Sequence, residues 1–280
     1  MSLKPDVYTV IDQNMDKMKP ISIERLKGVM AQLRHPENGC PWDKVQTSAS
    51  IAPYTLEETY EVLDAIERHD PDALKEELGD LLFHIVFYAQ MAEEQQQFDF
   101  DDICEAVCDK LERRHPHIFN QQAGISGEEA IKSWEQRKSA ERAEKDQHSV
   151  LDDIPASLPA LMKAYKIQKR CASVGFDWDT LGPVLDKVYE EIDEVMDEAQ
   201  QAVIDEARLE EELGDLLFSV VNLSRHLGHK PEMALQKACH KFEQRFRNVE
   251  KLIFDKGLSL ETATPEEMEE MWQRVKNQHT

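Results

Sequence analysis

Glycine, proline and cysteine are scarce in this sequence of 280 residues, which contains 10 glycines, 12 prolines and 5 cysteines. Turn-rich β-folds depend on glycine and proline, whereas amphipathic helices need few of either, so the composition favours an all-α protein. The cysteines form no C-x-x-C pair and lack zinc-ligand spacing, which argues against disulfide bonds and against a zinc site. We therefore expect a reduced, cytoplasmic protein.

Long apolar runs and an excess of basic residues are also missing. No segment approaches the length of a transmembrane helix, and no apolar signal-peptide stretch follows Met1, so we expect neither membrane insertion nor secretion. Only 33 lysines and arginines oppose 56 acidic residues, giving a net charge of −23. Nucleic-acid polymers bind to basic patches that displace counterions, so DNA and RNA are not expected as partners. A divalent cation could still bridge a small phosphate compound to the acids.

An internal repeat organises the chain. The octapeptide E-E-L-G-D-L-L-F occurs at residues 76–83 and again at 211–218. Four shorter pairs occur around it in the same order: Gly39-x-x-Trp42-Asp43 with Gly175-x-x-Trp178-Asp179, Glu57-Glu58-x-x-Glu61 with Glu190-Glu191-x-x-Glu194, Lys110-x-x-x-Arg114 with Lys241-x-x-x-Arg245, and Trp134-x-x-x-Lys138 with Trp272-x-x-x-Lys276. We therefore predict two tandem helical domains, residues 20–145 and 146–280, after an N-terminal extension over residues 1–19 with no assigned function.

Capping signals place the two tryptophans of the repeated W-x-x-x-K motif, Trp134 and Trp272, on helices. Ser126 is followed after three residues by Glu129, and Thr264 likewise by Glu267. Such capping boxes open helices, because each side chain satisfies a backbone N–H of the first turn.

Acidic residues interrupt an otherwise apolar segment between Leu74 and Ala92. Glu77 and Asp80 stand one turn apart there, on a helix of the kind that is normally buried. Ionised carboxylates at the edge of a core are costly unless partners or a metal compensate. His84 continues the same stripe, but the second copy has Ser219 at that position. The acids, and not the histidine, are therefore the predicted ligands.

Two further acids stand one turn apart on the preceding helix of each copy. If the two helices pack antiparallel, four carboxylates meet in each domain: Glu58, Glu61, Glu77 and Asp80 in the first, and Glu191, Glu194, Glu212 and Asp215 in the second. Four oxygen donors suit Mg²⁺, with Mn²⁺ as a substitute. A single acid pair is usually a solvated helix face, but the repetition and the apolar context favour metal binding.

The combination of E-E-x-x-E, E-L-G-D and an upstream G-x-x-W-D resembles the MazG family of nucleoside triphosphate pyrophosphohydrolases. The tandem arrangement resembles its two-domain bacterial members, and the resemblance spans nearly everything after Pro20. It implies four-helix domains, a homodimer, and magnesium-dependent hydrolysis of a nucleoside triphosphate between the α and β phosphates, which gives a monophosphate and pyrophosphate. Glu190, or Glu57 in the first copy, is a candidate acceptor for the proton of the attacking water.

The resemblance further implies that Lys241 and Arg245 hold phosphates, and that Trp272 and Lys276 close over base and phosphate. Core packing is an equally good interpretation of Trp272. A stacking tryptophan tolerates any base, so broad base specificity is expected.

Basic residues distinguish the two copies. The helix that opens the second copy carries Lys166, Lys169 and Arg170, whereas the aligned stretch of the first has Met30 and Leu33 at two of these positions. More cations suit a triphosphate, so the second domain is expected to be the active one.

Two other functions are compatible with the sequence. The chain could be a helical module that binds a regulatory protein through its acidic face, without catalysis. It could also be a hydrolase restricted to deoxyuridine, phosphoribosyl or modified nucleotides. Exposed apolar surface on the long helices would favour a homodimer in any of these cases.

Overall fold

The computed structural model describes residues 23–119 and 149–278, together with isolated positions between 126 and 141. These residues form helices and no strand, which confirms the predicted all-α class. The chain divides into two compact units, Met1–Ala140 and Glu141–Thr280. The extension predicted over residues 1–19 and the boundary predicted after residue 145 lie outside the described residues.

The first unit contains four helices and a short fifth among its described residues. A 3-10 turn, Asp43–Val45, follows the first helix. The helices are α1 Ile23–Leu33, α2 Ser48–Glu67, α3 Pro71–Glu94, α4 Phe100–Arg114 and α5 Pro116–Phe119.

Local capping fixes where the central hairpin of α2 and α3 turns. The side chain of Asp70 accepts hydrogen bonds from the backbone N–H groups of Asp72 and Ala73, both at 3.1 Å. Pro71 occupies the first turn, where a missing N–H costs nothing. The acids of the two helices are therefore carried on one rigid hairpin.

The core of the first unit lies between α1, α2 and α3. Its buried members are Met30, Ile51, Val86, Phe87 and Met91. The side chain of Phe87 has no exposed surface.

The second unit repeats the order of the first three helices. Its helices are α6 Ala160–Ala172, α7 Leu181–Ala199, α8 Glu206–His226, α9 Pro231–Asp255 and α10 Pro265–Gln278. Asp205 caps α8 as Asp70 caps α3. Helices α9 and α10 share a second buried cluster, made by Val249, Ile253, Ala263, Met271 and Val275.

The predicted capping boxes are confirmed in both units. The backbone N–H of Glu267 donates to the Thr264 hydroxyl at 3.2 Å, and Thr264 N–H donates to the Glu267 carboxylate at 2.9 Å. Ser126 and Glu129 form the same reciprocal pair.

Helix α3, which carries the octapeptide, is less buried than its apolar composition suggests. Val86 and Phe87 are buried, but Leu78, Leu82 and Ile85 are exposed on the opposite face of α3. The expectation of a helix buried on all sides is therefore wrong within one unit, because a hairpin and one flanking helix cover only part of its circumference. No described helix is long and apolar enough to cross a membrane.

Replacement of Phe87 by alanine should destabilise the first unit by about 3–5 kcal/mol, because a fully buried ring is exchanged for a cavity. Urea denaturation followed by circular dichroism measures the effect. Leu111→Ala on α4 is the control, since Leu111 is 45% exposed and should cost less than about 1 kcal/mol. Equal losses in the two variants would contradict the packing described.

Candidate functional site

A cluster of carboxylates lies between α2 and α3 of the first unit. Oxygen atoms of Glu58, Glu77 and Asp80 all lie within 4.8 Å of one another. Loss of hydration, followed by the charges of Glu61 and Asp80, raises the pKa of Glu58 above its usual value. The Glu58 Oε2 atom is buried and has no hydrogen-bond partner among the described residues. This oxygen lacks the compensation that a buried carboxylate requires.

The second unit has the matching cluster between α7 and α8. Oxygen atoms of Glu191, Glu194 and Glu212 lie within 4.8 Å of one another. Loss of hydration raises the pKa of Glu194, and the neighbouring charges of Glu191 and Glu212 raise it further. Glu191 is only 3% exposed, and its Oε2 atom is buried without a partner in the described part of the chain. The unsatisfied oxygen therefore recurs at the same position of the repeat.

These clusters have the donor set that a hard divalent cation requires. Mg²⁺ and Mn²⁺ prefer carboxylate oxygens, and a cation would satisfy the unpaired oxygen while it cancels the repulsion between the acids. Three of the four predicted ligands meet in each cluster. The fourth lies beside it: Glu61 influences the pKa of both Glu58 and Glu77, and Asp215 lines the same cavity as Glu191.

Lys187 is a site residue that the sequence analysis missed. Its Nζ lies 2.5 Å from Glu191 Oε1 and 2.9 Å from Glu190 Oε1, and these hydrogen bonds raise the pKa of the lysine. The i, i+3 and i, i+4 spacings from Lys187 to the two acids were the available signal. The aligned residue of the first unit is Tyr54, so this cation is specific to the second cluster.

A cavity of about 620 Å³ adjoins the cluster of the second unit. The charged residues in its wall are Asp177, Lys187, Glu191, Asp215 and Arg225. Aromatic rings contribute as well, and one of them, Trp178, belongs to the repeated G-x-x-W-D motif. The remaining lining includes Ile167, Gln168, Phe176, Val184, Phe218 and Asn222.

An ion-pair network supports one side of this cavity. The Arg225 guanidinium donates to Asp177 Oδ2 at 2.9 Å, and His226 Nε2 lies 2.9 Å from Asp177 Oδ1. Hydrogen bonds from Arg225, and then from His226, outweigh burial and lower the pKa of Asp177 to about 2. The Asp177–Arg225 pair is consequently charged at neutral pH and holds the cavity wall in place.

At two aligned positions of α3, the first unit has apolar residues that belong to its core. In the register of the octapeptide repeat, Asn222 aligns with Phe87 and His226 aligns with Met91. Both residues of the first unit are buried and pack with Met30, which aligns with Lys166. Phe87, at the position of the cavity-lining Asn222, therefore belongs to an apolar core in the first unit.

The structure does not bring the predicted phosphate-binding residues into the wall of this cavity. Lys241 and Arg245 lie on α9, and neither forms an ion pair with a carboxylate of the described residues. Trp272 and Lys276 lie on α10, where the Trp272 ring packs 5.1 Å from the ring of Phe242. This contact supports the packing interpretation of Trp272 and leaves its base contact a prediction.

The basic residues of α6 that were predicted to suit a triphosphate are also absent from the wall of this cavity. Lys166 and Lys169 lie on α6 but do not line the cavity. Arg170 is buried, and its Nη1 donates to the carbonyl oxygens of Val150 at 3.0 Å and Asp152 at 3.4 Å. Arg34 of the first unit holds the backbone at Asp43 in the same way. Arg170 therefore anchors a loop, and its contact with phosphate stays a prediction.

Comparison with known proteins agrees with this geometry. Residues 46–119 and 180–250 both match the profile of the MazG nucleotide pyrophosphohydrolase domain, and each match contains one carboxylate cluster. The chain belongs to the MazG family. Membership confirms the predicted repeat of one MazG domain along the chain.

Two relatives match this MazG chain over most of its length. It is 67% identical over 256 residues to the nucleoside triphosphate pyrophosphohydrolase of Escherichia coli K12, covering 91% of this chain and 97% of the relative. It is 45% identical over 257 residues to the nucleoside triphosphate pyrophosphohydrolase/pyrophosphatase MazG of Thermotoga maritima, covering 91% and 96%. The predicted enzyme class, a nucleotide pyrophosphohydrolase, is confirmed by these matches.

The raised carboxylate pKa values predict how a metal bound at these acids would change stability with pH. Mg²⁺ or Mn²⁺ should raise the melting temperature more at about pH 7.5 than at about pH 5, because protons compete for carboxyls with raised pKa values. Without metal, these groups oppose folding when ionised, and that cost disappears as the pH falls through their raised pKa toward the usual value of 4.5. Differential scanning fluorimetry with and without metal measures both effects.

Glu191→Gln is the matched test of the second cluster. It should reduce the metal-induced shift at the higher pH, since the unpaired oxygen loses its charge. Shifts of the same size at both pH values, or a shift that Glu191→Gln leaves unchanged, would argue against cation binding at these acids.

Proposed function

We propose that this protein hydrolyses nucleoside triphosphates at the α–β phosphoanhydride bond, with Mg²⁺ bound to the acids of the second unit, and releases a nucleoside monophosphate and pyrophosphate. One observation carries the proposal: the cavity of the second unit and its carboxylate cluster share Glu191, and Asp215 lines the same cavity. A ligand in this cavity would have its phosphates beside the cation and its base beside aromatic side chains.

The acids that would hold the cation are Glu191, Glu194, Glu212 and Asp215. When bound, Mg²⁺ would polarise the phosphoryl oxygens and lower the pKa of a coordinated water. The unpaired Glu191 Oε2 supports this assignment. Mn²⁺ should substitute, because it accepts the same oxygen donors.

Lys187 and Glu190 would act beside the cation. The Lys187 ammonium lies in the cavity wall, where it can contact a phosphate oxygen, and its ion pair with Glu191 positions that ligand. Glu190 is held 2.9 Å from the same ammonium and would accept the proton of the attacking water.

The second unit is proposed as the catalytic one. The first unit retains the acids, but Phe87 and Met91 pack where the second unit has Asn222 and His226. Tyr54 in place of Lys187 also removes the cation beside the acids. These substitutions leave the first unit equipped for metal but poorly equipped for a nucleotide.

Residues of α9 and α10 would complete the substrate site. Lys241 and Arg245 share one face of α9 and would bind the outer phosphates, while Trp272 and Lys276 would close over the substrate. Trp178 and Phe218 offer further aromatic surface in the cavity. Because every base presents a π-face to such rings, we propose broad base specificity.

Single substitutions of matched acids test which unit is active. Glu212→Ala should lower pyrophosphate release by more than about 100-fold, because even outer-shell partners of a metal site contribute about 10–100-fold. Glu77→Ala, at the aligned position of the first unit, should retain most of the activity. Pyrophosphate release from ATP with Mg²⁺, with and without EDTA, is the assay. The reverse pattern would assign catalysis to the first unit.

We also propose a homodimer. Leu213, Leu217 and Val220 form an exposed stripe on α8 at i, i+4 and i+7. Further exposed apolar residues lie on α7, namely Tyr189, Ile192 and Met196. Contiguous apolar surface on a helix hairpin favours association, and a two-fold dimer is the simplest closed assembly.

Leu217→Asp should convert the dimer to a monomer, because a charge would be buried at the centre of the interface. Light scattering after gel filtration gives the mass directly. Val203→Asp is a suitable control, since Val203 is 83% exposed but lies in the loop before α8. A monomeric wild type would disprove the dimer.

A further inference from the structure

Gln168 lines the cavity of the second unit and carries a buried acceptor without a partner among the described residues. Its side chain is 7% exposed on α6, and its Nε2 donates to the carbonyl oxygen of Phe218 at 2.8 Å. Because a carbonyl can only accept, this bond fixes which end of the amide is nitrogen. Gln168 Oε1 is therefore the free end, and it has no hydrogen-bond partner among the described residues.

Asn222 presents the complementary group to the same cavity. Its Oδ1 accepts from Arg225 Nε at 3.0 Å and from Arg225 Nη2 at 2.8 Å. Arg225 is itself held by Asp177. The Asn222 oxygen is thus committed to the guanidinium, and its Nδ2, which donates to no described residue, is left as a donor. The ion-pair network orients this amide before any ligand binds.

The other residues that line the cavity indicate which kind of ligand these two amides can recognise. Trp178 and Phe218 supply flat apolar surface to the cavity, while Glu191 and Asp215 place the carboxylate cluster at its wall. A ligand that satisfies all three features combines a planar ring, polar groups on the edge of that ring, and phosphates that a cation can bind. Nucleotides have this combination, and a nucleobase edge offers adjacent donors and acceptors.

From this geometry we infer that Gln168 Oε1 accepts a hydrogen bond from an N–H group of the substrate base, and that Asn222 Nδ2 donates to a neighbouring acceptor of the same base. The inference rests on the function proposed above and names the determinant of its base recognition. Adenine, cytosine, guanine, uracil and thymine all carry at least one N–H and one acceptor. The pair therefore admits every common base and selects against a ring without an N–H.

The first unit lacks this arrangement. Gln32 aligns with Gln168 but is exposed, and Phe87 takes the place of Asn222. Gln32 is therefore a matched control at the equivalent position of the repeat.

Cytosine provides the cleanest probe, because its amino group carries all of its N–H donors. Replacement of that amino group by hydrogen gives 2-pyrimidinone, which adds no bulk. The measurement is kcat/KM for pyrophosphate release from CTP and from 2-pyrimidinone ribonucleoside triphosphate. The wild type should prefer CTP by about 10–100-fold, because the analogue leaves a buried acceptor unpaired.

Gln168→Leu should bring this ratio close to one. The variant should process CTP more slowly and the analogue about as fast as the wild type does, because the analogue has no N–H that could pair with Gln168 in the wild type. Gln32→Leu should keep the wild-type ratio. Phe218 O retains its intrahelical hydrogen bond in Gln168→Leu, so the fold should tolerate the change, and melting temperatures verify this.

The outcomes separate the two proposals. A ratio near one in the wild type, or one that Gln168→Leu does not alter, would overturn the role of Gln168 and leave the hydrolase intact. A wild-type ratio near one overturns the role of Gln168 even if the variant fails to fold. If the wild type releases no pyrophosphate from CTP, ATP, GTP or UTP, the proposed function fails, and this inference fails with it.

Discussion

Repulsion among carboxylates held on one helix hairpin is the constraint on which the rest of this structure depends. Capped ends and short connections fix the hairpin, and the acids of its two helices converge with loss of hydration and with one oxygen in each unit left unpaired. Such a cluster is tolerated only if something compensates its charge. In the second unit, Lys187 does so in part. The remaining charge is what the proposed divalent cation would neutralise.

The two units show how one scaffold supports two different interiors. Both carry the acids on equivalent turns of equivalent helices. The first unit then packs Phe87 and Met91 into its core, whereas the second unit places Asn222 and His226 at those positions and supports them through Asp177 and Arg225. At one of these positions the polar side chain of Asn222 lines the cavity, whereas Phe87 of the first unit belongs to a buried core.

Much of this organisation was predictable, because it depends on local spacing. Helix class, capping boxes and the convergence of acids follow from i, i+3 and i, i+4 relations and from the repeat. The role of Arg170 was not predictable in this way, because its partners are backbone carbonyls of a preceding loop that leave no trace in side-chain identity. The amides of Gln168 and Asn222 were missed for a similar reason: single polar residues acquire meaning only when packing shows which of their atoms is unpaired.

The carboxylate cluster of the first unit has a consequence for the number of metal ions that one chain can bind. It offers carboxylate donors like those of the second cluster, yet Phe87 packs in a buried core at the position of the cavity-lining Asn222. A chain with both clusters loaded would hold more cations than substrate molecules. A count of bound metal would then overestimate the number of turnover centres, and the surplus ion would act as a purely architectural clamp across α2 and α3.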